Sequence, residues 1–149
     1  MTIQQLKVTL LVDTRENAIR DIHVTTTRKH DSKIAPSLIK RNTGEIAILL
    51  DDKGYDDRKV RVLAREEAVR PLFKHREFTP LHKAWNARLD SDRYQQRNMN
   101  ETVNAAIKRK FGAFVRSWVW WKQFRELVVK CIVHNIELTV SQRCQSGDT

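Results

Sequence analysis

The stretch Ile46-Ala47-Ile48-Leu49-Leu50-Asp51-Asp52-Lys53-Gly54-Tyr55-Asp56 decides how this chain folds. A short, continuous apolar run of this kind suits a strand buried on both faces, as in a parallel sheet. The run delivers Asp51 and Asp52 to its carboxyl end, Gly54 supplies a turn, and Asp56 to Ala68 reads as a helix. Arg70 to Lys74 then reads as a second short strand. Strand, helix, strand is the unit of an α/β sheet, so the expected class is α/β.

Upstream, Leu6 to Val12 is rich in aliphatic and β-branched residues and ends in the polar stretch Asp13 to Asn17. Ala18 to Thr27 alternates apolar and polar residues, so the two runs predict a hairpin. Asp31 or Ser32 can cap a helix carrying Ile34, Leu38 and Ile39 and ending near Asn42-Thr43-Gly44. Downstream, Glu77 to Arg93 is polar, irregular and rich in aromatics, and residues 77–97 read as a connecting insertion with little core of its own. From about Asn98 a helix is expected to Phe114, with a break near Arg116-Ser117 and a second helix from Trp118 to Glu137. Residues 1–140 are expected to form one domain and 141–149 a disordered tail.

The 149 residues suffice for one domain with a sizeable core. Lys and Arg number 28 against 18 Asp and Glu, a formal charge of +10 that favours a polyanionic partner, nucleic acid first. No apolar run approaches the roughly 20 residues of a membrane span, and no secretion signal opens the chain. A soluble, cytoplasmic protein is expected, without a membrane partner. Cys131 and Cys144 are too few and too isolated for a disulfide framework or a CxxC metal site. The five histidines show no zinc-ligand spacing, and neither a Gly-rich phosphate loop nor a Ser or Cys nucleophile setting is present.

A second motif follows at fixed spacing: Tyr94, Arg97, Glu101 and Lys108, that is Y-x2-R-x3-E-x6-K, downstream of D-K-G-Y-D at residues 52–56. Taken alone, a strand-end Asp or a first-turn Glu is ordinarily a solvated cap. Together the two motifs resemble the insertion-sequence DDE transposases, and His30-Asp31-Ser32, Lys108 to Gly112 and His134-Asn135 extend the resemblance over most of the chain. The resemblance implies an RNase H-like mixed sheet flanked by helices. It makes Asp52 and Glu101 the second and third catalytic carboxylates, both metal ligands, with Mg²⁺ the expected ion and Mn²⁺ its alternative. Tyr94, Arg97 and Lys108 inherit roles in contacting DNA or ordering the site. Arg109 and Lys110 flank Lys108, which lies seven residues beyond Glu101 on roughly the same helix face, and they join it as DNA-binding candidates.

In that family the first catalytic aspartate stands on a first, central strand ahead of the hairpin. Only Met1 to Gln5 precede the first strand here, and none is acidic. Asp13 ends an apolar strand but reads as a turn former bonding its own backbone. The expectation is therefore an incomplete RNase H-like domain, a C-terminal portion of a transposase, inactive alone. Two roles follow from the resemblance. One is DNA transposition by metal-dependent strand cleavage and transfer at insertion-sequence ends, in the nucleoid. The other is a catalytically inactive, truncated transposase that only binds transposon ends and target DNA or pairs with an intact transposase or a second copy.

Phe111, Phe114, Trp118, Trp121 and Phe124 recur at helical steps, which reads as a core stripe. Trp85 and Trp120, off that stripe, are the candidates for stacking on unpaired bases.

Overall fold

The structure, a computed structural model, describes residues 6–26 and 29–147. The stretch Met1 to Gln5, the end of the expected second strand at Thr27 and the last two residues lie outside them. The described chain is mixed α/β, with two two-stranded sheets and six α-helices. In chain order these are β1 (Lys7–Val12), β2 (Ile19–Thr25), α1 (Asp31–Arg41), β3 (Ile48–Asp51), α2 (Arg58–Glu66), β4 (Arg70–Phe73), α3 (Pro80–Ala87), α4 (Ser91–Gln95), α5 (Asn98–Phe111) and α6 (Trp120–Ser146). A single 3₁₀ turn, Lys53–Tyr55, joins β3 to the segment before α2. Two compact units divide these elements: Met1–Thr9 with Thr25–Asn98, and Leu10–Val24 with Met99–Thr149.

The first unit is built on β3, α2 and β4. Parallel strands cannot be joined by a tight turn, so the helix between them is the required crossover. Ile48 pairs with Arg70, Leu49 with Pro71, Leu50 with Leu72 and Asp51 with Phe73. Pro71 lacks an N–H, which a two-stranded sheet tolerates because every strand in it is an edge. β3 is shorter than the apolar run that predicted it, and Leu49 alone of its residues is buried, so the strand is not buried on both faces as that run suggested. α1 brings Ile34, Ala35, Leu38 and Ile39 into the core and α2 brings Val60 and Ala64, each set at the three- and four-residue steps of one helix face. Phe73, Val69 and Leu72 complete it.

Capping departs from expectation at α1. Asp31 is the first helical residue, His30 is the N-cap without a side-chain bond, and the Asp31 carboxylate pairs with Lys7 instead. At α2 the cap is Asp57, whose carboxylate accepts the Lys59 N–H. The segment read as irregular folds into α3 and α4, capped by Thr79 and Asp90. Asn86 of α3 accepts the His75 N–H at 2.7 Å and donates to the His75 carbonyl at 3.0 Å. His75 and His82 stack there, and Trp85 meets both rings at a tilt.

In the second unit Asp13 shapes the hairpin turn, its Oδ1 accepting the N–H groups of Arg15 and Glu16 and its Oδ2 the Arg20 guanidinium. The Arg20 hydrogen bond comes first among the causes that hold its carboxyl below the usual range. The Asn135 amide accepts the Ile19 N–H at 2.9 Å and donates to the Ile19 carbonyl at 2.8 Å, standing in for a strand partner. α5 ends at Phe111, three residues earlier than expected, where Gly112 at φ +81° adopts the left-handed conformation of a helix stop. α6 runs on to Ser146, with the Gly147 N–H bonded to the Arg143 carbonyl, so the stretch expected to fray is helical up to there. The aromatic stripe is not core: Phe114 is 85% and Trp118 78% exposed, while Gln123, Cys131 and His134 are the buried residues of α6. The reason is local, since residues 112–119 are non-helical and the helical phase of the stripe is broken across them. Cys131 is a buried and Cys144 an exposed free thiol.

Asp56 ties the first unit together and supplies its test. Burial raises its carboxyl, but the Arg76 N–H, the Arg61 guanidinium and the nearby His75 outweigh that and leave it below the usual range. A depressed carboxyl contributes stability that is present above its unfolded value near 3.8 and is lost as the pH falls through the folded value. Asp56→Asn should therefore cost on the order of 1 kcal/mol in urea unfolding at pH 7, after allowing for solvent screening, and its difference from wild type should shrink below about pH 4.

Candidate metal and phosphate site

β3 ends in Asp51, whose half-buried carboxylate accepts the Asp52 N–H at 2.9 Å. Asp52 is exposed, caps the 3₁₀ turn and accepts the Gly54 N–H through Oδ1 at 2.6 Å. Asp31 approaches the same turn from α1: a Cβ on Gly54 would lie 2.8 Å from Asp52 Oδ1 and 3.4 Å from Asp31 Oδ2. Gly54 is thus required for close approach, not for a left-handed backbone. Burial, then the charges of Asp52 and Asp31, push the Asp51 carboxyl up to about 8, against a hydrogen bond from the Asp52 backbone and the pull of Arg97. Burial likewise raises the Tyr55 hydroxyl, with the charges of Asp51, Asp31 and Asp52 adding to it.

Cations stand at the same end of the sheet. Lys7 reaches Asp31 and the Lys29 carbonyl. Arg97 and Lys74 each lie over the Tyr94 ring, 5.1 Å from its centroid. Tyr94 is 7% exposed. Burial raises its hydroxyl, and the charges of Asp52 and Asp51 add to this while Arg97 opposes them. The structure thus brings Asp52, Tyr94 and Arg97 together with Asp51, Asp31 and Lys74 within the first unit.

Glu101 and Lys108 to Lys110 belong to the second unit, on α5. Glu101 is exposed in the first turn. Lys108 and Arg109 are exposed in the last turn, while Lys110 is ion-paired with Glu137 of α6. Trp85 and Trp120 are exposed, as stacking candidates must be.

The donors at the end of β3 are carboxylate oxygens, the ligands of a hard divalent cation, and crowded acids are relieved by one. That chemistry fits such an ion. Among the described residues no group of three or more His, Cys, Asp or Glu stands close enough together to hold a metal ion. Sequence reasoning overlooked Lys7, Asp31 and Lys74 at this end of the sheet. Lys74 was legible in principle, because it follows a strand that runs parallel to β3, and the carboxyl ends of parallel strands are where such folds bind ligands.

The Asp52–Gly54 contact has a direct measure. Gly54→Ala should lower stability by about 1 kcal/mol in the wild-type chain, since the new Cβ displaces a hydrogen-bonded carboxylate. It should be near neutral in an Asp52→Ala background. A double-mutant cycle by urea unfolding, with a coupling of about 0.5–1.5 kcal/mol, checks this.

With this geometry in view, a comparison with family models matches residues 2–136 to one described as the transposase DDE domain. No curated protein matches the chain, and no solved structure does.

Proposed function

The chain belongs to the transposase DDE domain family, whose members act in DNA transposition, and from that premise we propose that it is catalytic-core machinery of an insertion-sequence transposase. The reaction is metal-dependent cleavage and transfer of DNA strands at the element's ends. The observation that carries the reading is the carboxyl end of the β3–β4 pair, where Asp51 and Asp52 stand near a tyrosine that holds two cations. Carboxylates for a metal beside cations for phosphate are what phosphoryl transfer needs from a protein.

In this proposal Asp52 and Glu101 are the catalytic carboxylates and metal ligands. Mg²⁺ is the ion their oxygens suit, with Mn²⁺ able to replace it. Such ions supply activation of the attacking hydroxyl and neutralisation of the leaving oxygen. Asp52 is held for this by its bond to the Gly54 N–H. Tyr94 orders the site by fixing Arg97 beside Asp51. Arg97, Lys108, Arg109 and Lys110 position DNA, Lys110 exchanging its bond to Glu137 for a phosphate.

The fold in this reading is of the RNase H-like class, and residues 1–140 act as one catalytic domain into which 77–97 is inserted. The partners are transposon-end and target DNA, with further transposase copies, at the nucleoid. No helix among the described residues is long and apolar enough to cross a membrane.

Incubating the purified chain with DNA carrying the element's ends in Mg²⁺ or Mn²⁺ tests the proposal. Nicking and strand transfer that EDTA abolishes and that Asp52→Asn or Glu101→Gln reduces at least about 100-fold, with DNA binding retained, would support the catalytic reading over that of a chain inactive alone. Cleavage that survives either substitution contradicts the assignment. Salt-sensitive binding with no cleavage by the wild-type chain would instead support a role confined to occupying DNA ends or pairing with intact transposase.

A further inference from the structure

The family pattern picks out Arg97 and Tyr94 but says nothing of the second cation on the same ring. The pairing of Asp51 with Phe73 makes Asp52 and Lys74 the first residues beyond the ends of the two parallel strands. Lys74 is half-buried, its ammonium 5.1 Å from the centroid of a ring that is itself buried. Among the described residues no carboxylate pairs with it, although Glu77 feels its charge. An aromatic face offsets only part of what an ammonium loses on leaving water. What remains is a demand for an anionic oxygen, and Arg97, held by the same ring, presents a planar fork suited to a second oxygen of the same group.

We propose that Lys74, together with Arg97, binds one backbone phosphate of the DNA substrate, with Tyr94 as the rigid platform that sets both cations at the carboxyl end of β3 and β4. This rests on the proposed function, since it takes DNA to be the substrate. Lys74 reaches this place through the Asp56 hub, which fixes the turn carrying Asp52 to the segment that follows Lys74: Asp56 Oδ2 accepts the Arg76 N–H, and the Arg76 guanidinium donates to the Lys53 carbonyl. A phosphate on Lys74 and a metal on Asp52 are thereby referred to one local frame.

Fluorescence-anisotropy titration of the full chain with duplex DNA at several salt concentrations tests this. Lys74→Met keeps the apolar stem on the ring and removes the charge. It should lower the slope of log affinity against log salt by about 0.9 and weaken binding roughly eightfold at about 0.1 M salt, whatever the DNA sequence. Lys74→Arg should recover most of the slope, and Lys40→Ala, an exposed charge loss on α1, should leave it unchanged. All three should melt close to wild type. Lys74→Met with the full wild-type slope would overturn the assignment, as would a slope loss not recovered by Lys74→Arg. Inorganic phosphate at matched ionic strength should not displace the DNA. Displacement that depends on Lys74 would assign the pair to free phosphate and overturn the DNA assignment. A wild-type chain without salt-dependent DNA binding would sink the proposed function itself, an outcome distinct from failure at Lys74 alone.

Discussion

The first unit depends on one carboxylate, that of Asp56. Its Oδ1 takes two contacts from Arg61, at 2.9 Å to Nε and 2.8 Å to the terminal nitrogen, and its Oδ2 takes the Arg76 N–H at 2.8 Å. Arg61 also donates to the Phe73 carbonyl and lies over the Phe73 ring. A single side chain therefore joins the turn after β3, the first turn of α2 and the exit of β4. A two-stranded parallel sheet has few ladder bonds to fix where its strand ends point, and a charge-assisted network supplies that constraint. Asp52 and Lys74 both hang from the segments that Asp56 ties together.

The electrostatics of the site follow from placing acids and cations at one sheet end. Asp51 is driven toward its protonated form by burial and by Asp52 and Asp31, while Arg97 pulls the other way. Tyr94 is the meeting point, a buried ring with two cations on it and two aspartates acting on its hydroxyl. Arg97 and Lys74 both lie over that ring, and the proposed metal and DNA roles draw on acids and cations meeting at one place.

Much of this was legible in the sequence, for identifiable reasons. The run ending at Leu50, Gly54 and the strand at Arg70 encode the βαβ unit through local patterning, and Asp13 encodes the hairpin turn through its own backbone bonds. The α/β class followed from that patterning, and the family from residue types at fixed gaps. Less legible were features set by tertiary partners. Asp31 looks like a cap, but Lys7 claims its carboxylate. The aromatic stripe through Phe114 and Trp118 looks like core, but it crosses a non-helical segment held by Glu126 and Lys130, whose groups bond Arg116, Ser117 and Phe114. Residues 77–97 lack an apolar pattern because α3 rests on its cap and the Asn86 clamp with no buried residue, and α4 buries Tyr94 alone. Lys74 carried no motif, its place at the end of a strand parallel to β3 being the one signal it offered, and the register of β3 with β4 sets it level with Asp52.

In the proposed function, metal gathers at the carboxyl end of the β3–β4 pair. Substoichiometric Mn²⁺ added to the isotope-labelled, chelator-stripped chain broadens amide resonances steeply with proximity to the ion. Asp51 to Gly54 should broaden first, followed by Lys74 and the Tyr94 to Arg97 segment. Broadening that starts elsewhere in the chain, or none at stoichiometric metal, would contradict it.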